Sequence, residues 1–99
     1  MSYRLEFSES TLSRLESLGS ADAKTLRQVI MKILSLRRNP VPHDTKKLVN
    51  FNYQGLTGYR VDQGEYRIIY AIDEANKKVL IGAIINRNED YERVIRHKK

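Results

Sequence analysis

The run Lys78-Val79-Leu80-Ile81-Gly82-Ala83-Ile84-Ile85 constrains this chain more than any other segment. It is almost continuously apolar, the mark of a strand covered on both faces. No apolar stretch approaches the roughly 18 residues that a membrane span needs. Upstream, Glu65-Tyr66-Arg67-Ile68-Ile69-Tyr70-Ala71-Ile72 reads as a second long strand. Alternation puts Tyr66, Ile68, Tyr70 and Ile72 on one face and Arg67, Ile69 and Ala71 on the other. Gly58-Tyr59-Arg60-Val61-Asp62 reads as a shorter strand, with Gln63-Gly64 as the tight turn between them. Asp73-Glu74-Ala75-Asn76 is the next turn.

The N-terminal part has a different period. Tyr3-Arg4-Leu5-Glu6-Phe7 alternates large apolar and charged residues, as a half-buried strand does. Ser8 then suits a helix cap, with Thr11 three positions on and Leu12, Leu15 and Leu18 marking one face. Gly19-Ser20 breaks that pattern, and Ser20 or Asp22 can cap a second helix. Leu26, Val29, Ile30, Ile33 and Leu34 form its apolar stripe, opposite Lys24, Arg27, Gln28 and Lys32. Arg37 and Arg38 suit its negative end, and Pro40 and Pro42 forbid continuation. The spacing therefore predicts a helical hairpin over residues 8–38. Residues 39–57 show no regular pattern. Asp90 to Arg96 reads as a short last helix with Tyr91, Val94 and Ile95 inward.

The 99 residues suffice for one domain, 1–99, with no internal repeat or low-complexity segment. The element order predicts an α+β fold: an N-terminal strand, a helical hairpin, a mainly antiparallel sheet and a short C-terminal helix. Helices on one side only leave an open, concave sheet surface for a ligand. Eighteen Lys and Arg against 12 Asp and Glu give a net charge of +6, which points to a polyanionic partner, nucleic acid first. The absence of Cys excludes disulfides, a thiolate nucleophile and cysteine-held metal, and His43 and His97 alone cannot build a multi-histidine centre. No metal or other cofactor is expected. The first residues lack the apolar stretch of a signal peptide, so a soluble, cytoplasmic protein is expected, with no membrane partner.

Chemistry-bearing residues gather in the β half. Tyr59-Arg60 and Tyr66-Arg67 are repeated pairs, and Arg87 closes the last strand just before Tyr91. Strict alternation puts Val79, Ile81, Ala83, Ile85 and Arg87 on one face, so Arg67 and Arg87 can meet, with Arg60 nearby. Guanidiniums crowded together repel unless an anion lies between them. Their forks match phosphate oxygens, and tyrosine rings can stack on unpaired bases. Spacing alone leaves open that the arginines are solvated strand residues which discourage edge pairing. Lys46 and Lys47 can reach the open face or can be plain solvated charge. Asp22, Asp44, Asp62, Asp73 and Asp90 fall at caps or turns and read as structural. No Ser-His-Asp arrangement or phosphate-loop glycine spacing is present.

Leu56-Thr57-Gly58-Tyr59-Arg60-Val61, Gly64-Glu65-Tyr66-Arg67-Ile68-Ile69-Tyr70 and Val79 through Arg87 with Tyr91 together resemble the RelE/ParE toxin superfamily. The opening strand and helical hairpin extend the resemblance over essentially the whole chain. RelE-like members are messenger-RNA interferases of type II toxin–antitoxin systems that act in the ribosomal A site; ParE-like members poison DNA gyrase. RelE resemblance implies a metal-independent endoribonuclease that inhibits translation, in which the nucleotide's own 2′-hydroxyl attacks the adjacent phosphate. It implies a cognate antitoxin and ribosome-bound mRNA as partners. By position it assigns catalytic roles to Arg60, Arg67, Arg87 and Tyr91; in an RNA-cleaving reading, Lys46 or Lys47 would hold the RNA backbone. The sequence departs at Asp62, where the best-known members have a second lysine, and at Asn86, where many have His; the general base is left unassigned. A gyrase inhibitor and a non-catalytic RNA-binding domain are the alternatives.

Overall fold

The computed structural model describes residues 2–89. In chain order these form β1 (Arg4–Phe7), α1 (Glu9–Ala21), α2 (Ala23–Ser35), β2 (Lys46–Tyr53), β3 (Leu56–Gln63), β4 (Tyr66–Asp73) and β5 (Lys78–Asn86). One five-stranded sheet has the order β1-β5-β4-β3-β2, antiparallel throughout except for the parallel pair β1–β5. The expected α+β architecture is thus observed. The expected C-terminal helix and Tyr91 lie outside the described residues.

Both helices start where short polar side chains satisfy the first free amides. Ser8 Oγ accepts from Thr11 N at 3.1 Å, and Asp22 Oδ1 accepts from Thr25 N at 3.1 Å. Asp22 also ends α1, its own amide donating to Leu18 O at 2.7 Å. The first helix therefore runs through Gly19-Ser20, which spacing had marked as its break. Its inward face is Thr11, Leu15 and Leu18, while Leu12 is exposed. Thr11 displaces Leu12 because its buried hydroxyl donates to Ile81 O at 3.1 Å. In α2 the buried positions are Val29 and Ile33, followed by Leu36 just beyond its end; Leu34 is exposed. These side chains meet Val61, Ile68, Tyr70, Val79, Ile81 and Ile84 on the sheet. Each large aliphatic buried there contributes about 1.5–3 kcal/mol.

The other face of the sheet is not the open surface that the element order implied. A second cluster covers part of it, formed by Leu48, Phe51, Ile69, Ala83 and Ile85 with Tyr53 against them. Its cover comes from β2, in the segment that carried no sequence signal. Between the pairs Lys47↔Tyr59 and Asn52↔Thr57, five steps along β2 face two along β3. The surplus residues destroy alternation, which is the signal a strand normally gives. They also let β2 curl over the sheet until the Tyr53 ring lies 3.0 Å from where a Cβ on Gly82 would sit.

A second irregularity corrects the expected faces of the last strand. Ile69 pairs with Ala83, but Tyr70 pairs with Ile81, so Gly82 is an extra residue, a β-bulge. Val79 and Ile81 face the helices, whereas Ala83 and Ile85 belong to the opposite cluster. The five residues from Val79 to Arg87 do not share one face. The bulge is held from outside the ladder: Ser8 Oγ and Ser10 Oγ donate to Gly82 O at 2.8 and 3.2 Å. Arg14 Nε takes the next edge carbonyl, Ile84 O, at 3.0 Å.

Candidate functional site

Strand register builds the site. Arg60 and Asp62 lie two residues apart on β3 and so share a face. Arg67 on β4 stands directly opposite Asp62, and Ile69 opposite Arg60. Beyond the bulge, Ile85 pairs with Arg67, and the chain continues to Arg87, whose amide donates to Glu65 O at 3.0 Å. Arg87 is thereby brought to the end of β4 that carries Arg67. A turn fixes this exit: Asn86 N donates to Glu89 Oε1 at 2.8 Å, and Asn88 N to Asn86 Oδ1 at 3.2 Å. Glu89 is anchored in turn by Arg14, 2.9 Å away.

The three arginines converge on one carboxylate. Arg67 Nε donates to Asp62 Oδ1 at 3.1 Å, and Arg60 Nη1 lies 3.6 Å from the same oxygen. Arg87 Nε lies 3.7 Å from Oδ2. Only the Arg67 contact is a hydrogen bond; the other two are charge contacts. Arg60 and Arg67 are mostly covered, with side chains 24% and 20% exposed, whereas Arg87 is 51% exposed. Three positive charges thus surround a single negative one at the surface, and most guanidinium N–H groups are left for a ligand.

Asp62 is the functional candidate that sequence reasoning missed. Its place beside the Gln63-Gly64 turn groups it in the sequence with the aspartates at caps and turns, and for three of those the structural reading is right. Hydrogen bonds from Thr25, Lys32 and Asn76 hold Asp22, Asp44 and Asp73, respectively, below the usual carboxylate range. Asp62 is different because it lies inside a strand, on the same side as Arg60. The available signal was that Arg-x-Asp spacing.

Other predicted site residues divide by face. Lys46 pairs with Arg60 and shares its side of the sheet. Lys47 pairs with Tyr59 and turns to the opposite side. Tyr59 and Tyr66 pack against the helix-side core, and Tyr59 stacks on buried Tyr70 with ring centroids 5.8 Å apart. Alternation thus splits both Tyr-Arg pairs, sending the rings to the core and the guanidiniums to the site. Burial pushes the Tyr70 phenol up to about 12, and its hydroxyl bonds Pro40 O and Thr45 Oγ1. Tyr70 therefore serves to pin the segment leading into β2. Among the described residues no three His, Asp or Glu side chains group as a metal site. No described helix is long and apolar enough to cross a membrane.

No family model and no curated protein matches the chain. Solved structures do. The archaeal RelE–RelB complex from Pyrococcus horikoshii OT3 contains a chain 28% identical, matched over 91% of this chain and 100% of its own, with a TM-score of 0.72. The RelBE2 toxin–antitoxin complex from Mycobacterium tuberculosis gives 23% identity over 88% of this chain and 100% of that one, at a TM-score of 0.69. The isolated E. coli RelE toxin gives 19% identity over 98% and 99%, also at 0.69. The fold is that of small α+β toxins whose sheet backs onto a helical hairpin. Within that class, the likeness is to the RelE-like toxin superfamily, and the match to the archaeal RelE chain extends over that chain's whole length.

Proposed function

We propose that this protein is the toxin of a toxin–antitoxin pair and that it cuts messenger RNA on the ribosome. The observation that carries this reading is the convergence of Arg60, Arg67 and Arg87 on one anion position. Support for the toxin role comes from the structural likenesses, which include RelE toxins solved alone and in complex with RelB. In the proposed reaction the 2′-oxygen of a bound nucleotide attacks the adjacent phosphorus, and the bond to the 5′-oxygen breaks. A cyclic phosphate and a free 5′-hydroxyl result. Negative charge grows on the non-bridging oxygens at the transition state, where fixed guanidiniums stabilise it more than they stabilise the ground state. A guanidinium does not release its proton in a protein, so the arginines act by charge and orientation. The nucleophile belongs to the substrate, and this scheme needs no metal ion. Lys46 extends the positive surface beyond Arg60 for the RNA backbone, and a partly acidic antitoxin is the partner that suits a net charge of +6. Tyr91 is a proposed contributor by resemblance alone, and Lys47, which turns to the opposite side of the sheet, is a proposed RNA contact by its place before the β half.

Purified protein added to translating ribosomes, with cut sites mapped by primer extension, tests the reading. Cuts at fixed codon positions are the expected result. Inhibition of gyrase without cutting would replace it with the gyrase-directed role. Retention on RNA without either effect would reduce it to binding.

A further inference from the structure

We propose that Asp62 is a positioning residue, a resident counter-ion that keeps Arg60, Arg67 and Arg87 arranged around one anion position until a phosphate takes its place. The proposal rests on the nucleic-acid reading above for the identity of that phosphate, and on geometry for the rest. Asp62 is fixed by the backbone, since β3 places it on the face of Arg60 and opposite Arg67. Its two oxygens divide the arginines, Oδ1 facing Arg67 and Arg60 and Oδ2 facing Arg87. Among the described residues these arginines meet no other carboxylate within 4.0 Å.

Two consequences pull in opposite directions. Without an anion, three guanidiniums this close would repel and splay. Asp62 orders them before any ligand arrives, which lowers the cost of organising the site on binding. The same carboxylate repels an incoming phosphate and competes with it for the Arg67 Nε–H donor. Its partial exposure (35%) and single hydrogen bond make it displaceable. A phosphodiester offers two non-bridging oxygens in tetrahedral array and accepts paired N–H bonds from guanidinium forks. The site therefore selects ligands that engage several arginines at once and turns away those that reach only one.

The test compares Asp62→Asn, which keeps size and removes charge, with Glu65→Gln. Glu65 lies in the adjacent β3–β4 turn and, among the described residues, its side chain makes no ion pair. The two variants change net charge equally. The first probe is inorganic phosphate, followed through the arginine Nε–H resonances; the second is a single-stranded RNA oligonucleotide, followed by fluorescence anisotropy. Arg60 and Arg67 are mostly covered and keep their places when the charge is lost, so the freed donor and the lost repulsion outweigh the lost ordering, and Asp62→Asn should tighten both by about tenfold more than Glu65→Gln does, equivalent to about 1.4 kcal/mol. In the wild type, phosphate should shift the Arg67 Nε–H signal as its acceptor changes. Asp62→Ser repeats the comparison with a smaller side chain if the amide disturbs folding. Equal tightening by Asp62→Asn and Glu65→Gln, weaker binding by Asp62→Asn, or no arginine response to phosphate overturns the proposal. The two readings fail separately. An arginine response without RNA cutting keeps the counter-ion and removes the nuclease, and cutting without the response does the reverse.

Discussion

Replacing Arg67 by Ala separates a catalytic guanidinium from a structural one. Arg67 holds Asp62 by a 3.1 Å hydrogen bond, at a site where both side chains retain partial exposure. Removing such a pair costs folding about 0.5–1 kcal/mol, because Asp62 keeps Arg60 and Arg87 beside it. In a domain of this size that lowers the melting temperature by roughly 2–8 °C. The effect on catalysis should be larger. A guanidinium about 4 Å from a reacting phosphate interacts with it by on the order of 4 kcal/mol at an effective dielectric near 20. Loss of one comparable donor elsewhere costs about 2.7–4 kcal/mol of barrier, roughly a hundredfold to a thousandfold in rate. Arg67 is well covered and should approach that range. Arg87 is half exposed, so water screens it, and Arg87→Ala should lose roughly tenfold to a hundredfold. Initial cutting rates on programmed ribosomes, measured beside thermal melts of the same preparations, give both numbers. A folded Arg67→Ala protein that cuts within threefold of wild type would refute the catalytic assignment of the cluster.

Gly58→Ala should destabilise the sheet by roughly 1–2 kcal/mol in urea unfolding. The new methyl would sit 2.7 Å from Phe51 Cδ2 and 3.3 Å from Leu48 Cδ1, and overpacking costs of about 1–3 kcal/mol exceed the 0.4–1 kcal/mol gained from a stiffer unfolded chain. Alkaline titration should destabilise the protein between pH 10 and about 12: the Tyr70 phenol is raised by burial, so its stabilisation is complete below the unfolded value of 10 and lost as pH climbs to the folded one. That loss is on the order of 2–3 kcal/mol by linkage, and Tyr70→Phe, though less stable at neutral pH without its bonds to Pro40 and Thr45, should show a flatter profile there. On the acid side, Asp44 is held below its usual value of 3.8 by Lys32, so its contribution is present above that pH and fades as pH falls below it. Asp44→Asn should flatten the acid limb of melting temperature against pH; an unchanged limb would mean that the Lys32 contact adds nothing.

What was legible in the sequence follows from where periodicity survives. The stripe Leu26, Val29, Ile33 and the caps Ser8 and Asp22 are local signals, and the helices form where they say. β3 and β4 pair without a register shift, so period-two counting puts Arg60 and Arg67 on one side, as the sequence suggests. β2 was not readable, because surplus residues between Lys47 and Asn52 erase alternation and its partner contacts are set by tertiary packing. For the same reason the cover over the second face was invisible: Phe51 and Tyr53 reach it only because β2 bends. Asp62 was in plain view but misclassified. Its neighbour in the sequence is a turn, while its neighbours in space are guanidiniums.

Arg67 and Arg87 do converge, but strict alternation along β5 would not bring them together; the bulge at Gly82 places Arg87. Counting by twos from Val79 and Ile81, which face the helices, would put Ala83, Ile85 and Arg87 on the helix side as well. Gly82 inserts one extra residue, and everything after it changes sides. Ala83 and Ile85 therefore join the second cluster, and the chain leaves β5 on the side of Asp62. Two constraints meet at that residue. A Cβ there would crowd the Tyr53 ring at 3.0 Å, and the displaced carbonyl is taken up by Ser8 and Ser10 at the start of α1. The N-cap serine thus performs two tasks, starting a helix and fixing the bulge that carries an arginine to the site. Residues at opposite ends of the chain are coupled in this way: the segment that lacked a readable pattern supplies the ring over Gly82, and the first helix supplies the donors. The position of Arg87 is consequently a property of the packed fold, although its presence at the end of an apolar strand is a property of the sequence.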